Sequence, residues 1–148
     1  MSYTFKPMTV ADYEEAVALW KITEGVGLSE SDSPEAIALY LERNPGLSLA
    51  ARDADDRLAG AILAGHDGRR GYLYHLAVAE GHRRRRVGIT LVEKCLAALK
   101  AMGIPRCNIF IYADNEEGKK FWRRHGWEQR DELRLMQNFT GGDPAKPH

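Results

Sequence analysis

Residues 72–90 constrain the fold of this 148-residue chain more than any other segment. Residues 72–78 are apolar, aromatic and β-branched, which is typical of a buried strand. Four consecutive arginines occupy positions 83–86, and an apolar stripe with spacings of three or four residues then runs to Met102, where Gly103 ends it. The pattern predicts a strand, a short basic turn and a long helix.

The arginines precede the positive end of the predicted helix, where cationic side chains destabilise the helix dipole. Their position therefore indicates that an anion binds there. The first N–H groups of a helix have no intrahelical acceptor and can hold a phosphate. Gly88 has no Cβ and would let a diphosphate approach the first turn closely. The sequence thus predicts a diphosphate site at this turn.

Capping signals and hydrophobic periodicity divide the rest of the chain into alternating elements. Thr9 with Asp12 resembles a capping box at the start of a first helix, and Ser33 before Pro34 starts a second. The predicted strands span residues 3–6, 47–52, 58–65, a segment that ends at Val78, 106–112 and 128–136, and a helix spans residues 116–124. The order βααβββαβαβ predicts an α/β fold.

Length and composition predict one domain over residues 1–138, followed by a disordered tail over residues 139–148. The 21 basic and 21 acidic side chains cancel, which argues against a general nucleic-acid binder. Cys95 and Cys107 have no metal-ligand neighbours, so we expect free thiols, no metal site and a reducing, cytoplasmic location. No signal peptide is recognised, and the apolar run 58–65 is too short to span a bilayer.

Three ordered motifs resemble those of the GCN5-related N-acetyltransferase (GNAT) superfamily. Residues 83–88, Arg-Arg-Arg-Arg-Val-Gly, are similar to its acetyl-CoA motif Arg/Gln-x-x-Gly-x-Gly/Ala, with Arg86 in place of the first glycine. Residues 109–115 resemble the fifth strand and the asparagine that opens the fourth helix. Residues 118–127 resemble the Phe-Tyr-x-x-x-Gly-Phe element. The resemblance covers nearly the whole chain.

The resemblance implies a mixed central sheet with helices on both faces, and transfer of acetyl from acetyl-CoA to a primary amine. It implies that the Leu76 and Val78 backbones meet the pantetheine arm, that the N–H groups of residues 86–90 hold the diphosphate, and that Asn115 bonds the cofactor near its thioester. Asn115 precedes a helix, so an N-cap role is equally open. The cofactor-binding candidates are Leu76, Val78, Arg83, Arg84, Arg85, Arg86, Val87, Gly88, Ile89, Thr90, Asn115 and Trp122.

Trp122 departs from the family pattern. It stands where many members carry a tyrosine that protonates the departing CoA thiolate, and an indole N–H has no usable acidity. The departure keeps a second hypothesis open, a noncatalytic acyl-CoA-binding or sensing domain.

Acetyl transfer to an amine needs a base for the nucleophile and a proton for the leaving thiolate. The candidate bases are Glu24, Glu30 and His75, and the candidate acids are Tyr74 and Tyr112. Each has a structural alternative. The glutamates suit a solvated loop, the histidine suits a satisfied core position, and the tyrosines suit packing in a strand.

The loop 24–32 holds Glu24, Glu30 and Asp32 without any Lys or Arg, whereas the turn 83–86 is strongly basic. Opposite fields at two sites favour one anionic and one cationic substrate. We therefore expect a cationic amine acceptor, either a small metabolite or a protein N-terminus or lysine. We expect no nucleic acid or membrane partner, and the oligomeric state is left open, a homodimer included.

Overall fold

The computed structural model describes residues 2–147 and contains one five-stranded sheet with helices on both faces. The strands are β1 (Thr4–Pro7), β2 (Leu49–Arg52), β3 (Leu58–His66), β4 (Gly71–Val78) and β5 (Cys107–Ile109), and the helices are α1 (Tyr13–Lys21), α2 (Pro34–Arg43), α3 (Val87–Ala101) and α4 (Glu116–Arg124). The strands lie in the order β1-β2-β3-β4-β5. The first four are antiparallel to their neighbours, while β5 is parallel to β4. The predicted mixed α/β fold is confirmed.

The two predicted helix starts are present. Thr9 and Asp12 form a reciprocal capping box around a short 3-10 turn, and α1 begins at Tyr13, directly after that turn. The Ser33 hydroxyl accepts from the N–H of Ala36 at 3.1 Å, and Pro34 occupies the first position of α2. These caps satisfy helix N–H groups locally, so sequence alone identifies them.

The alternation of side chains along β3 separates two hydrophobic cores. Ile62 and Ala64 pack with the apolar face of α3. Ala61 and Leu63 pack with α1 and α2, including Trp20. Each buried side chain of the size of Ile or Leu stabilises the fold by about 1.5–3 kcal/mol. The sheet is therefore held between α1 and α2 on one face and α3 on the other.

A β-bulge interrupts the ladder between β3 and β4. Tyr74 pairs with Leu63 and Ala77 pairs with Ala61, so two residues of β4 lie opposite one of β3. His75, inside this bulge, has a φ of 55°, a left-handed conformation that is rare for a residue with a side chain. The extra residue reverses the alternation of β4, and Leu76 therefore packs toward α3 instead of toward α1 and α2.

β4 and β5 separate after a short contact. They pair only at residues 71–73 of β4, with Leu73 opposite Ile109 as the last pair. The predicted strand 106–112 is thus too long, and only Cys107–Ile109 is a strand. The chain leaves the sheet because it must turn into α4, with the N–H of Asn115 donating to the Tyr112 carbonyl at 3.0 Å. The divergence opens a gap in the sheet.

The predicted last strand, residues 128–136, is wrong, because the structure has no strand in that segment. The Leu133 N–H donates to the Arg130 carbonyl, and Arg130 pairs with Glu132 at 3.0 Å. This local turn replaces an extended ladder. The apolar side chains that suggested a strand face solvent, with Leu133 65% and Met136 91% exposed.

Residues 139–147, predicted to form a disordered tail, contain no helix or strand. The backbone N–H of Asp143 nevertheless donates to the Glu30 carboxylate at 3.0 Å. This contact places the segment beside the loop 24–32. Met1 and His148 lie outside the described residues.

Candidate active site

The gap between β4 and β5 is a cavity of about 240 Å³. Four of the five candidate catalytic residues line it: Glu24, Tyr74, His75 and Tyr112. Three cofactor candidates, Leu76, Asn115 and Trp122, line it as well. Glu30 and the arginines are not among its lining residues. The fold thus brings together groups from loop 24–32, β4, the segment after β5, and α4.

His75 and Asp32 form a buried pair at this cavity. The imidazole Nε2 lies 2.8 Å from Asp32 Oδ1, and the two side chains are only 11% and 8% exposed. Asp32 Oδ2 accepts from the Ser29 N–H at 2.9 Å, which fixes the carboxylate. A neutral imidazole that donates from Nε2 to a carboxylate carries its lone pair on Nδ1. In this arrangement Asp32 orients the imidazole, and His75 Nδ1 is the atom that could accept a proton.

Aromatic rings hold the imidazole in place. The Trp20 ring lies 5.1 Å from the His75 ring between centroids, and Trp20 is fully buried. The Tyr74 ring contacts the imidazole edge-on, with 6.5 Å between the ring centroids. Packing of this kind fixes the ring plane, since few rotamers fit between two aromatic neighbours.

Tyr74 lies in an aromatic stack. Its ring stacks on Tyr72 at 6.3 Å and on Phe110 at 6.2 Å between centroids. Burial raises the pKa of Tyr74 above its ordinary value, so the hydroxyl stays protonated at neutral pH. Tyr112, by contrast, is 37% exposed. Of the two tyrosines, Tyr74 is the better shielded proton donor.

The basic turn holds two arginines in left-handed backbone conformations. Arg84 has a φ of 62° and Arg86 a φ of 61°, and Arg86 is the N-cap of α3. This conformation explains why the family motif has glycine at the position of Arg86, since a side chain there costs about 1–2 kcal/mol. Backbone strain of this kind concentrates at ligand sites.

The charges of the turn face solvent. The four arginines at positions 83–86 are exposed. Arg83 Nε donates to the Val78 carbonyl at 3.3 Å, and Arg86 lies 3.7 Å from Glu93 with both side chains mostly exposed. An exposed pair of this kind contributes at most about 1 kcal/mol, so it does not neutralise the turn. The turn therefore keeps its positive charge.

Gly88 joins the basic turn to the cavity. A Cβ on Gly88 would lie 3.3 Å from Val78 Cγ2 and 3.9 Å from Phe121 Cζ, and Phe121 lines the cavity. No side chain caps α3, so the N–H groups of Val87, Gly88 and Ile89 keep no intrahelical acceptor. Donors of this geometry fit a diphosphate.

Asn115 and Trp122 have clear structural roles. Asn115 Oδ1 accepts from the Gly118 N–H at 2.9 Å, so the predicted N-cap role is present. The Trp122 ring packs edge-on against Trp127, with 4.9 Å between the ring centroids. Trp122 is also partly buried against the hydrophobic core that contains α3. Trp122 therefore forms a wall of the cavity.

A wider cleft of about 660 Å³ adjoins the cavity through residues 24–27 and Tyr112. Carboxylates from two segments line it: Glu24, Asp114, Glu116 and Glu117. No Lys or Arg is among the described residues that line it. The acidic loop is predicted from the sequence, whereas the carboxylates of Asp114, Glu116 and Glu117 are not, although they directly follow the aromatic segment after β5.

Asp32 is a candidate site residue that the sequence does not link to His75. It belongs to the acidic loop, and only the structure shows that it pairs with the imidazole. The spacing Ser29-x-x-Asp32 does carry a capping-box signal, and the structure has that box. No local pattern, however, predicts that its second carboxylate oxygen reaches a strand that lies far along the chain.

The model of the acetyltransferase (GNAT) family matches residues 13–127, which include the cavity, the basic turn and α4. The chain belongs to the GNAT acetyltransferase family. A protein named acetyltransferase from Sodalis glossinidius is 30% identical over 126 residues, which cover 84% of this chain and 87% of the relative. An uncharacterised N-acetyltransferase from Yersinia pestis is 30% identical over 125 residues, covering 84% and 86%. This GNAT chain is therefore an acyltransferase by family.

Solved structures of the family share its fold. PaiA N-acetyltransferase from Thermoplasma acidophilum, in complex with coenzyme A, has a TM-score of 0.74 at 22% identity and covers 88% of this chain and 92% of its own. An aminoglycoside 6'-N-acetyltransferase from Acinetobacter baumannii has a TM-score of 0.76 at 13% identity, covering 95% and 100%. Within residues 2–147 of this GNAT chain, no helix is long and apolar enough to cross a membrane.

Proposed function

We propose that this chain is an N-acetyltransferase that moves an acetyl group from acetyl-CoA to a primary amine. The observation that carries the proposal is the His75–Asp32 pair, in which His75 lines the cavity between β4 and β5 and Asp32 is buried beside it. The family supports acetyl transfer, and the pair supplies what an amine acceptor needs beyond binding, namely an oriented base.

The basic turn would hold the diphosphate of acetyl-CoA. The N–H groups of residues 87–89 and the positive charge of residues 83–86 match its charge and geometry. The bulge at Leu76 interrupts the β3–β4 ladder, and its backbone groups lie beside the cavity where the pantetheine arm would run. When bound, acetyl-CoA supplies the thioester carbon that the amine attacks.

His75 would accept the proton of the acceptor. An alkyl ammonium with a pKa of about 10.4 costs about 4–5 kcal/mol to neutralise at neutral pH, so a positioned base has a large effect. The Nδ1 of His75 takes one proton from the ammonium before attack, which frees the nitrogen lone pair, and Asp32 stabilises the resulting imidazolium through Nε2. As the nitrogen–carbon bond forms, the nitrogen loses its second proton to water. Tyr74 gives a proton to the thiolate as the carbon–sulfur bond breaks.

The test is release of free thiol from acetyl-CoA with a panel of primary amines, in the parent and in His75→Gln and Asp32→Asn. Loss of a general base lowers kcat by about 100-fold to 10,000-fold, so we expect His75→Gln to fall in this range and Asp32→Asn to fall less. His66→Gln is the matched control, because His66 lies at the end of β3 and its imidazole accepts a local hydrogen bond from the Gly68 N–H. Unchanged kcat in His75→Gln would remove the histidine from the mechanism.

A noncatalytic acyl-CoA-binding or sensing domain is the second candidate, and Trp122 is the observation that favours it. Trp122 stands at the usual tyrosine position and packs as a cavity wall. Acetyl-CoA binding in calorimetry, without thiol release for any amine in the panel, would support this function over the first.

A further inference from the structure

Residues 142–147, named here the strap, cross the loop that borders the acceptor side of the cavity. At one end of the strap, the Asp143 N–H donates to Glu30 Oε1 at 3.0 Å. At the other end, Pro147 lies over Gly27, where a Cβ would come within 2.7 Å of Pro147 Cβ. Both anchors lie on the loop 24–32, so the strap follows this loop rather than leaving the molecule.

The strap has a defined turn between its anchors. The Asp143 carbonyl accepts from the Lys146 N–H at 3.0 Å, and Asp143 Oδ1 accepts from the Ala145 N–H at 2.9 Å. Pro144 occupies the second position of this four-residue turn, where its fixed φ is favourable. A pre-formed turn loses less conformational entropy on docking than a flexible chain would.

The anchor at Gly27 lies at the junction of the inner cavity and the acidic cleft. Gly27 and Tyr112 line both spaces, and the Tyr112 hydroxyl lies against the same glycine that Pro147 covers. An amine that enters from the acidic cleft toward His75 must pass this point. The strap therefore lies at the entrance that the acceptor would use.

We propose that the strap occupies the acceptor entrance, and that the acceptor is an amine carried on a peptide, which displaces the strap. The entrance holds polypeptide through a backbone N–H on the Glu30 carboxylate and a proline ring on a glycine, and a peptide acceptor offers the same groups. This inference rests on the proposed function, because it concerns the acceptor of that same reaction.

The first test compares the parent with a chain that ends at Gly141 and with Asp143→Pro, which removes the backbone N–H that donates to Glu30. Loss of the anchors removes a contact worth about 0.5–1.5 kcal/mol, so the KM for a lysine-containing peptide should fall about two-fold to ten-fold with kcat unchanged. Gly81→Ala is the surface control, because nothing lies within 4 Å of its Cβ position. Equal KM values in the parent and both variants would overturn the proposal.

The second test adds a labelled peptide, Gly-Gly-Asp-Pro-Ala-Lys-Pro, to the chain that ends at Gly141 and measures its fluorescence anisotropy. We expect binding that Glu30→Ala weakens and that Glu42→Ala, on the exposed face of α2, leaves unchanged. No binding would overturn the proposal. If the KM of the chain that ends at Gly141 decreases equally for the peptide and for a free diamine, the proposal that the acceptor is a peptide is wrong.

Acetyl-CoA affinity separates the two failures. Calorimetry with the parent and the shortened chain should give the same Kd, because the strap is anchored on the loop 24–32, at Glu30 and Gly27. If neither chain binds acetyl-CoA, the proposed function fails. If both bind it and release thiol but show the same KM for the peptide, only the strap proposal fails.

Discussion

The basic turn and the loop 24–32 form the two ends of the proposed site, and they differ in the groups that they present. The turn presents backbone N–H groups and exposed charges, and two of its residues hold left-handed conformations. The loop presents individual carboxylates, of which Asp32 is buried against His75 and Glu30 holds the strap. The turn is thus defined by its backbone path, whereas the loop is defined by particular side chains.

This difference explains what each end tolerates. Arg86 stands at a glycine position of the family motif, and the backbone still takes the left-handed conformation that the motif requires. Replacing Asp32 by a residue without a carboxylate would remove the only carboxylate within 4 Å of His75 among the described ion pairs. Substitutions should therefore act through backbone space at the turn and through side-chain chemistry at the loop.

The largest expected effect is at the turn, where Gly88→Val fills the space beside Val78. The valine methyl groups would occupy the position from which a diphosphate meets the N–H groups of α3, since a Cβ alone already lies 3.3 Å from Val78 Cγ2. Loss of one or two charge-assisted hydrogen bonds should weaken acetyl-CoA binding by about 100-fold in calorimetry.

Two further measurements test whether Gly88→Val acts on acetyl-CoA binding rather than on folding. Denaturation with urea should show a smaller change, about 1–2 kcal/mol, since overpacking is limited to one contact. Parent affinity should also decrease as salt rises, because part of the contact is ionic. A Gly88→Val chain that binds acetyl-CoA as tightly as the parent would contradict a backbone-defined site.

The second prediction concerns the proton for the leaving thiolate. Tyr74→Phe should lower kcat by about ten-fold to 100-fold, whereas Trp122→Phe should keep most of the activity because Trp122 acts as a wall. Burial raises the pKa of Tyr74, so its contribution is complete at neutral pH and is lost as pH rises through that higher pKa. The alkaline limb of the pH–rate profile should therefore disappear in Tyr74→Phe.

Tyr112→Phe is the comparison variant for this prediction, because Tyr112 lines the same cavity but is more exposed. A decrease in kcat for Tyr112→Phe alone would move the acid to the segment after β5. No decrease for either tyrosine would mean that the thiol, with a pKa near 8.5, leaves without an acid.

The third prediction concerns the acidic cleft. Glu24→Lys with Glu117→Lys reverses two charges that line the cleft and leaves the strap anchor Glu30 in place. A cationic acceptor should then show a KM about five-fold higher, equivalent to about 1 kcal/mol, with acetyl-CoA affinity unchanged. A KM equal to that of the parent would show that the acceptor does not use this cleft.

The fold was largely accessible from the sequence because its signals are local. The caps at Thr9 and Ser33 and the apolar stripe of α3 each depend on residues within one or two turns. The prediction of a last strand over residues 128–136 is wrong for the same reason. The alternation in that segment is a local signal, whereas a strand needs a neighbouring strand to pair with, and the described residues 128–136 form no strand. Strand predictions from alternation alone cannot account for such a partner.

The candidate site shows the same division. The basic turn and Gly88 could be predicted because a strand, a turn and a helix start follow each other in sequence. The His75–Asp32 pair could not, because the bulge in β4 reverses the side-chain alternation and aims His75 at a loop that lies far along the chain. Register shifts of one residue carry no signal in a single sequence.

The smallest expected effect comes from two variants of the basic turn, which separate the contribution of backbone conformation to stability from the contribution of charge to acetyl-CoA binding. Arg86 has a φ of 61°, so Arg86→Gly should raise the free energy of unfolding by up to about 1 kcal/mol. Arg85 is not in the left-handed region, so Arg85→Gly should lower it by about 0.5–1 kcal/mol through the added flexibility of the unfolded chain. Both variants lose one positive charge and should weaken acetyl-CoA binding to a similar, salt-dependent extent. Urea denaturation and calorimetry on the two variants measure these effects, and stability changes of the same sign would show that the left-handed conformation at Arg86 does not strain the turn.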